Sequence, residues 1–180
     1  ARHQDILEDK KILFEEMFHS VVLFEGEYPL DQLIKRLKNG EPLTTVPNLI
    51  YVKNGAVVRN ATAKALSYDQ LACPNFDDLP LNKYLMPYPV LPYMASRGCY
   101  WGKCTFCTHS FIYDSHYRKE NEERVAEELD HLGKKYKTKY FTFSDEAISP
   151  NAFDRMSKAI LSQGVEMRAL GMLKFESDSV

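Results

Sequence analysis

The chain has 180 residues, 44% of them hydrophobic, with 23 basic and 25 acidic side chains and a formal net charge of −2. That composition excludes a disordered or fibrous chain. Near-neutral charge with interspersed signs argues against a nucleic-acid footprint, and no apolar run approaches the roughly 18 residues that a membrane helix needs.

The length suits one domain, or one domain with part of another. The charged start, Ala1 to Lys11, does not read as a signal peptide. There is no initial Met, and the chain stops just after a strand-like stretch from Val165 to Phe175. Both ends therefore read as cut from a longer protein.

Lys10 to Phe18 sets Ile12, Leu13, Met17 and Phe18 between charges, which predicts a short amphipathic helix. Val21 to Phe24 predicts a buried strand, and Glu25-Gly26-Glu27 a turn with exposed acids. From Pro29, at an expected first helical position, Leu30, Leu33, Ile34 and Leu37 repeat at helical spacing until Gly40. Residues 10–40 thus read α-β-α. Asn54-Gly55 between Leu49–Val52 and Ala56–Val58 is a strong hairpin signal. Pro74, Pro80, Pro87, Pro89 and Pro92 mark an aperiodic linker able to lie extended against a neighbouring surface.

Beyond residue 90 the pattern changes. Val90 to Ser96 predicts a strand, followed by a glycine and cysteine loop from Arg97 to Cys107. Asn121 to Tyr136 places Val125, Leu129 and Leu132 on one helical face, with its charges mostly toward solvent. Tyr140 to Ser144 reads as a strand, Ser149-Pro150 opens a helix ending at Gly164, and Val165 to Leu173 reads as another strand. The order β-loop-α-β-α-β predicts an α/β fold with parallel strands and right-handed crossovers.

The four cysteines are too few for a disulfide scaffold, and three of them, Cys99, Cys104 and Cys107, share one loop. Such a cluster points to a metal or redox site in a reducing, cytoplasmic compartment. Three thiolates can converge on one centre and leave a coordination position open. Arg97 and Lys103 would offset their charge. Cys104-x-x-Cys107 is also half of a zinc site, which His109, His116 or Cys73 could complete. A zinc-stabilised binding module without catalysis is therefore the alternative.

The segment Ser96-Arg-Gly-Cys99…Cys104-Thr-Phe-Cys107 resembles the cluster motif of radical S-adenosylmethionine enzymes. The first cysteine gap here is four residues, where that family usually has three; the second is two in both. The resemblance implies that Cys99, Cys104 and Cys107 hold a 4Fe-4S cluster. Its fourth iron would chelate S-adenosylmethionine, and Phe106 would lie near the adenine. It also implies a small-molecule or peptide substrate and a reductant such as flavodoxin or ferredoxin. Residues 90–180 resemble the N-terminal part of that family's partial βα barrel. Asp145 and Glu146, ending the second strand, stand where the family commonly has acid for the ligand's amino group. They could equally cap the next helix.

Residues 1–45 resemble the tail of a cobalamin-binding α/β domain, as in the class similar to anaerobic magnesium-protoporphyrin ester cyclases, with hairpin and linker over 46–89. The cobalamin-ligating Asp-x-His-x-x-Gly motif is absent, so cobalamin is expected only in the full-length protein. Tyr100 and Trp101 read as core wedges or as a shield over the cluster, and Arg118, Lys119 and Arg124 as solvated. Half a barrel leaves a parallel edge unpaired, which predicts self-association.

Overall fold

Phe24 takes a left-handed backbone (φ 61°), and the first strand stops short of it. β1 is Ser20–Val22, not the expected Val21 to Phe24. The computed structural model describes residues 18–108 and 116–174. The expected helix from Lys10 lies outside them, apart from its last residue, Phe18. The chain divides into two units between Leu66 and Ser67.

In the first unit, α1 spans Glu27–Asn39, so Pro29 is its third residue and not its first. Pro remains harmless there because the first-turn N–H groups have no intrahelical partner. Gly40 ends the helix at φ 66°, where its N–H reaches back to the Arg36 and Leu37 carbonyls. β2 (Leu49–Lys53) and β3 (Ala56–Arg59) form the expected hairpin. Asn54 (φ 51°) and Gly55 (φ 73°) both supply the left-handed backbone that such a turn demands. β1 pairs antiparallel with β2, giving the sheet order β1-β2-β3. Leu33 of α1 closes its core against Val46, Leu49 and Tyr51.

The second unit contains β4 (Val90–Tyr93), β5 (Ser96–Arg97), β6 (Arg118–Lys119), α2 (Glu122–Tyr136), β7 (Tyr140–Phe143), α3 (Pro150–Ser162) and β8 (Arg168–Leu170). Its main sheet is parallel, in the order β4-β7-β8, as the alternation of elements predicts. Leu91 pairs with Phe141 and Tyr93 with Phe143. All four side chains enter one core with Val125, Leu129, Leu132 and Met156. The exposed Pro92 alternates with Leu91 and Tyr93 on the edge strand β4, where a missing N–H costs least. Asn121 caps α2 by accepting from the Glu123 and Arg124 N–H groups at 3.0 and 3.1 Å. Ser149 caps α3 through Ala152 N–H at 3.3 Å.

Two strands differ from expectation. Val90 to Ser96 is not continuous: the chain leaves the parallel sheet after Tyr93, and Ser96–Arg97 pairs antiparallel with Arg118–Lys119. Val165 to Leu173 shortens to β8, because Val165 N–H is spent on the Ile160 carbonyl at 3.1 Å. Leu173 keeps a single bridge to Ile148.

The proline-rich connection is a docked strap. Arg124, expected in solvent, donates to the carbonyls of Tyr68 (3.1 Å) and Leu71 (2.6 Å) and pairs with Glu120 (3.2 Å) and Glu128 (2.9 Å). The Tyr136 hydroxyl accepts from Phe76 N–H at 2.7 Å and donates to Asp77 at 2.9 Å. Lys135 also pairs with Asp77, at 2.8 Å. The strap is thus fastened at both ends of α2.

Candidate metal and cofactor site at the cysteine loop

The C-terminal ends of β4 and β7 meet where Ser144 N–H donates to the Tyr93 carbonyl at 2.8 Å. The cysteine loop springs from this end of the parallel sheet, the end where ligands gather in folds of this kind.

Its neck is closed by three features. The first is the short β5–β6 ladder, which pairs Ser96 with Lys119 and Arg97 with Arg118. The second is the Glu120 N–H bond to the Ala95 carbonyl at 2.8 Å. The third is Gly98, whose backbone (φ +81°) passes so close to the returning chain that a Cβ there would stand 2.5 Å from the His116 carbonyl oxygen. Only glycine suits that position. The sequence quotes this residue within its motif, but the reason for it lies in a contact with residue 116.

Asp145 fastens the neck from β7. It is fully buried, and its carboxylate accepts from Ala95 N–H at 3.1 Å and the Ser96 hydroxyl at 2.5 Å. Burial pushes its pKa up, while the bonds from Ser96 and from backbone N–H groups pull it down; the net direction is upward. Beside it lies a cavity of about 20 Å3, lined partly by Ser96, Tyr117 and Glu120. That volume admits about one water and nothing larger. Asp145 thus faces the interior, with both oxygens engaged and no opening toward a nucleoside-sized ligand. The N-cap of α3 is Ser149, and the Asp145 oxygens are engaged at the neck. Glu146 is half-buried and is the acid of the pair with accessible surface.

Cys99 and Cys107 are half-buried, Cys104 is exposed, and all three are free thiols. Cys107 N–H bonds the Cys104 carbonyl at 3.2 Å, forming a turn that carries Thr105 and Phe106 at its tip. Phe106 is 87% exposed. Among the described residues, no three His, Cys, Asp or Glu side chains are grouped closely enough to hold a metal ion. The loop therefore brings the three cysteines onto one stretch without gathering their sulfurs. The donor set, three thiols on a loop that turns at the left-handed Gly102 (φ +59°), still fits a soft-metal centre.

For the zinc alternative, Cys73 packs against the main core near Phe76, where burial raises its pKa. His116 is exposed beside Gly98, and His109 lies outside the described residues. The aromatic pair splits in use: Tyr100 packs edge-on against Tyr117 at 6.2 Å. Trp101 stays 39% exposed, with Lys103 and Lys174 over its ring at 4.9 and 3.1 Å. Among the described residues, no helix is long and apolar enough to cross a membrane.

No family model matches the chain. It is 35% identical over 137 residues to an uncharacterized methyltransferase of Pyrococcus horikoshii, covering 73% of this chain and 29% of that protein. It is 31% identical over 110 residues to 4'-phospho-dehydrooxetanocin synthase of Priestia megaterium, covering 60% of this chain and 14% of that protein. The chain thus spans under a third of either relative. Among solved structures, it is similar to the cobalamin-dependent S-adenosylmethionine radical enzyme OxsB with aqua-cobalamin and S-adenosylmethionine bound. The TM-score is 0.71 at 22% identity, over 88% of this chain and 23% of that one. It is also similar to the radical S-adenosylmethionine methyltransferase TsrM of Kitasatospora setae with cobalamin and a [4Fe-4S] cluster bound. That TM-score is 0.55 at 15% identity, over 85% and 31% of the two chains. At these identities the structural likeness speaks for the fold, a mixed α/β arrangement with a parallel sheet.

Proposed function

We propose that this chain is part of a radical S-adenosylmethionine enzyme of the cobalamin-domain class, and that Cys99, Cys104 and Cys107 hold its 4Fe-4S cluster. The observation that carries the reading is their common loop at the C-terminal end of the first strand of a parallel βαβαβ sheet. The relatives' names support an enzyme parent, and the two methyltransferases among them favour a group-transfer outcome. When bound, such a cluster supplies an electron that cleaves the sulfonium of S-adenosylmethionine to start radical chemistry.

This chain's own residues then have defined tasks. The three thiolates bind iron. Phe106 offers an exposed aromatic face to the adenine. Glu146 offers a carboxylate to the amino group, a role suited to charge-assisted hydrogen bonding. Asp145 and Ser96 hold the loop's root. Arg97 and Lys103 offset negative charge. The parallel sheet would continue into a partial barrel, and cobalamin would belong to the full-length protein. A cytoplasmic setting with a flavodoxin- or ferredoxin-type reductant follows from the need for reduced thiols and an electron. An uncovered sheet edge would let the chain self-associate.

The test is iron, sulfide and zinc content after anaerobic reconstitution, with S-adenosylmethionine titrated under electron paramagnetic resonance. Near four irons per chain, lost in Cys99→Ser, Cys104→Ser or Cys107→Ser but kept in Cys73→Ser, is the expected result. Stoichiometric zinc with no iron uptake would transfer the assignment to a zinc-stabilised module.

A further inference from the structure

We propose that Tyr68 is a positioning residue for the cysteine loop: held by the strap, its ring braces Arg97 and through it Cys99. The proposal rests on the cluster reading above only for its biological meaning; the contact itself stands on geometry.

Tyr68 opens the short turn Tyr68–Gln70, two residues after the division between the units. That turn is fixed from within and without. Ser67 and Gln70 form a capping box around it. Arg124 of α2 donates to the Tyr68 carbonyl at 3.1 Å and to the Leu71 carbonyl at 2.6 Å. The Arg97 guanidinium lies 6.0 Å from the centre of the Tyr68 ring, within the range of a cation–π contact. Burial raises the Tyr68 pKa and the nearby Arg97 lowers it, with a net upward direction, so the phenol is neutral; among the described residues its buried hydroxyl has no hydrogen-bond partner, which leaves the ring as the contact.

Arg97 is the last residue of β5, and Gly98 and Cys99 follow directly. Asp145 grips the preceding residues, Ala95 and Ser96. The neck is therefore held from two sides: from the sheet by Asp145, and from the strap by Tyr68. Anything that shifts the strap at its first turn shifts the support of Arg97, two residues from the first cysteine.

The test is mass-resolved iodoacetamide labelling of the reduced, metal-free full chain, with iron uptake measured in parallel. Tyr68→Leu keeps apolar bulk and removes the ring. It is expected to raise Cys99 labelling about two- to fivefold, the equivalent of one lost cation–π contact. Tyr68→Phe keeps the ring and is expected to label as wild type. Arg97→Met removes the other partner and also a cation near Cys99, so its rate is taken per thiolate from a pH series and is then expected to match Tyr68→Leu. The double variant is expected to label no faster than either single one, because both remove one contact.

Wild-type labelling in Tyr68→Leu would overturn the proposal, since simple packing predicts that result. So would additive single effects, or a Cys99 rise merely proportional to that of Cys73, the thiol on the strap itself. If Tyr68→Leu fails to fold, Tyr68→Met, which also removes the ring and leaves Arg97 in place, is compared with wild type instead. Iron uptake separates the two readings. A chain that takes no iron yet shows the labelling pattern keeps the brace and loses the cluster. A chain that loads iron with unchanged labelling does the reverse.

Discussion

The Ser96 hydroxyl donates to a carboxylate oxygen of Asp145 at 2.5 Å, and Asp145 is fully buried. One residue at the root of the cysteine loop is thereby locked to the end of β7, 49 positions away in sequence. The raised pKa of Asp145 has a definite sign for stability. The folded chain holds this proton more tightly than the unfolded chain. Stability therefore falls as pH rises from about 3.9, the unfolded value, and levels off once the folded group is ionised. Asp145→Asn removes that titration and adds a constant cost for its mispaired amide. In urea melts across this range, wild type should lose stability relative to Asp145→Asn as pH rises. A difference that stays flat with pH would show that Asp145 ionises normally.

Gly98 and Gly102 both have positive φ but differ in their surroundings. A Cβ at Gly98 would sit 2.5 Å from the His116 carbonyl oxygen, whereas one at Gly102 would meet the Cys99 carbonyl oxygen at a comfortable 3.6 Å. Gly102→Ala should cost about 1–2 kcal/mol, the price of a left-handed alanine. Gly98→Ala adds a backbone clash and should cost clearly more, with the β5–β6 ladder lost. Thermal melts and hydrogen exchange at the Arg97 and Arg118 amides, the hydrogen-bonded pair of that ladder, would check this. Equal losses in the two variants would contradict the close approach.

The hairpin, the three-strand parallel sheet and the helices around Val125 and Met156 are legible in sequence, because periodicity and turn chemistry act within short windows. Asn54-Gly55 and Ser149-Pro150 carry their own conformational instructions. The β5–β6 ladder is not legible: two residues a side give no pattern, and their pairing depends on a chain that departs and returns 20 residues later. The same holds for Asp145. Its neighbours in sequence suggest a cap or a ligand, while its actual partners, Ala95 and Ser96, are set by the pairing of β4 with β7. Arg124 reads as solvated because its acceptors, two carbonyls of an aperiodic strap, have no sequence signature.

Arg124 makes the strap part of the second unit. It gives one bond each to the Tyr68 and Leu71 carbonyls and pairs with Glu120 and Glu128. Hydrogen bonds to a charged donor contribute about 1.5–3 kcal/mol each at most sites, and Arg124→Met should forfeit a large part of that. It also leaves Glu120, 7% exposed, without its cation. Limited proteolysis should open a new cut between residues 67 and 73 in the variant. A digestion pattern identical to wild type would mean that the remaining contacts, among them those of Tyr136 and Lys135 and the packing of Cys73 and Phe76, suffice to retain the strap.

Leu129 is fully buried between α2 and the parallel sheet, in one core with Leu91, Phe141 and Met156. Leu129→Ala should cost about 2–5 kcal/mol, the spread reflecting how far the cavity collapses. The core residues Tyr93 and Phe143 lie at the sheet end that roots the loop, with their rings edge-on at 5.9 Å. Loss of packing there should loosen the neck before the whole unit unfolds. Native-state hydrogen exchange would then show the Glu120 amide, bonded to the Ala95 carbonyl, losing protection more than the Ile50 amide of the first unit. Equal loss at both amides would mean that the two units melt as one.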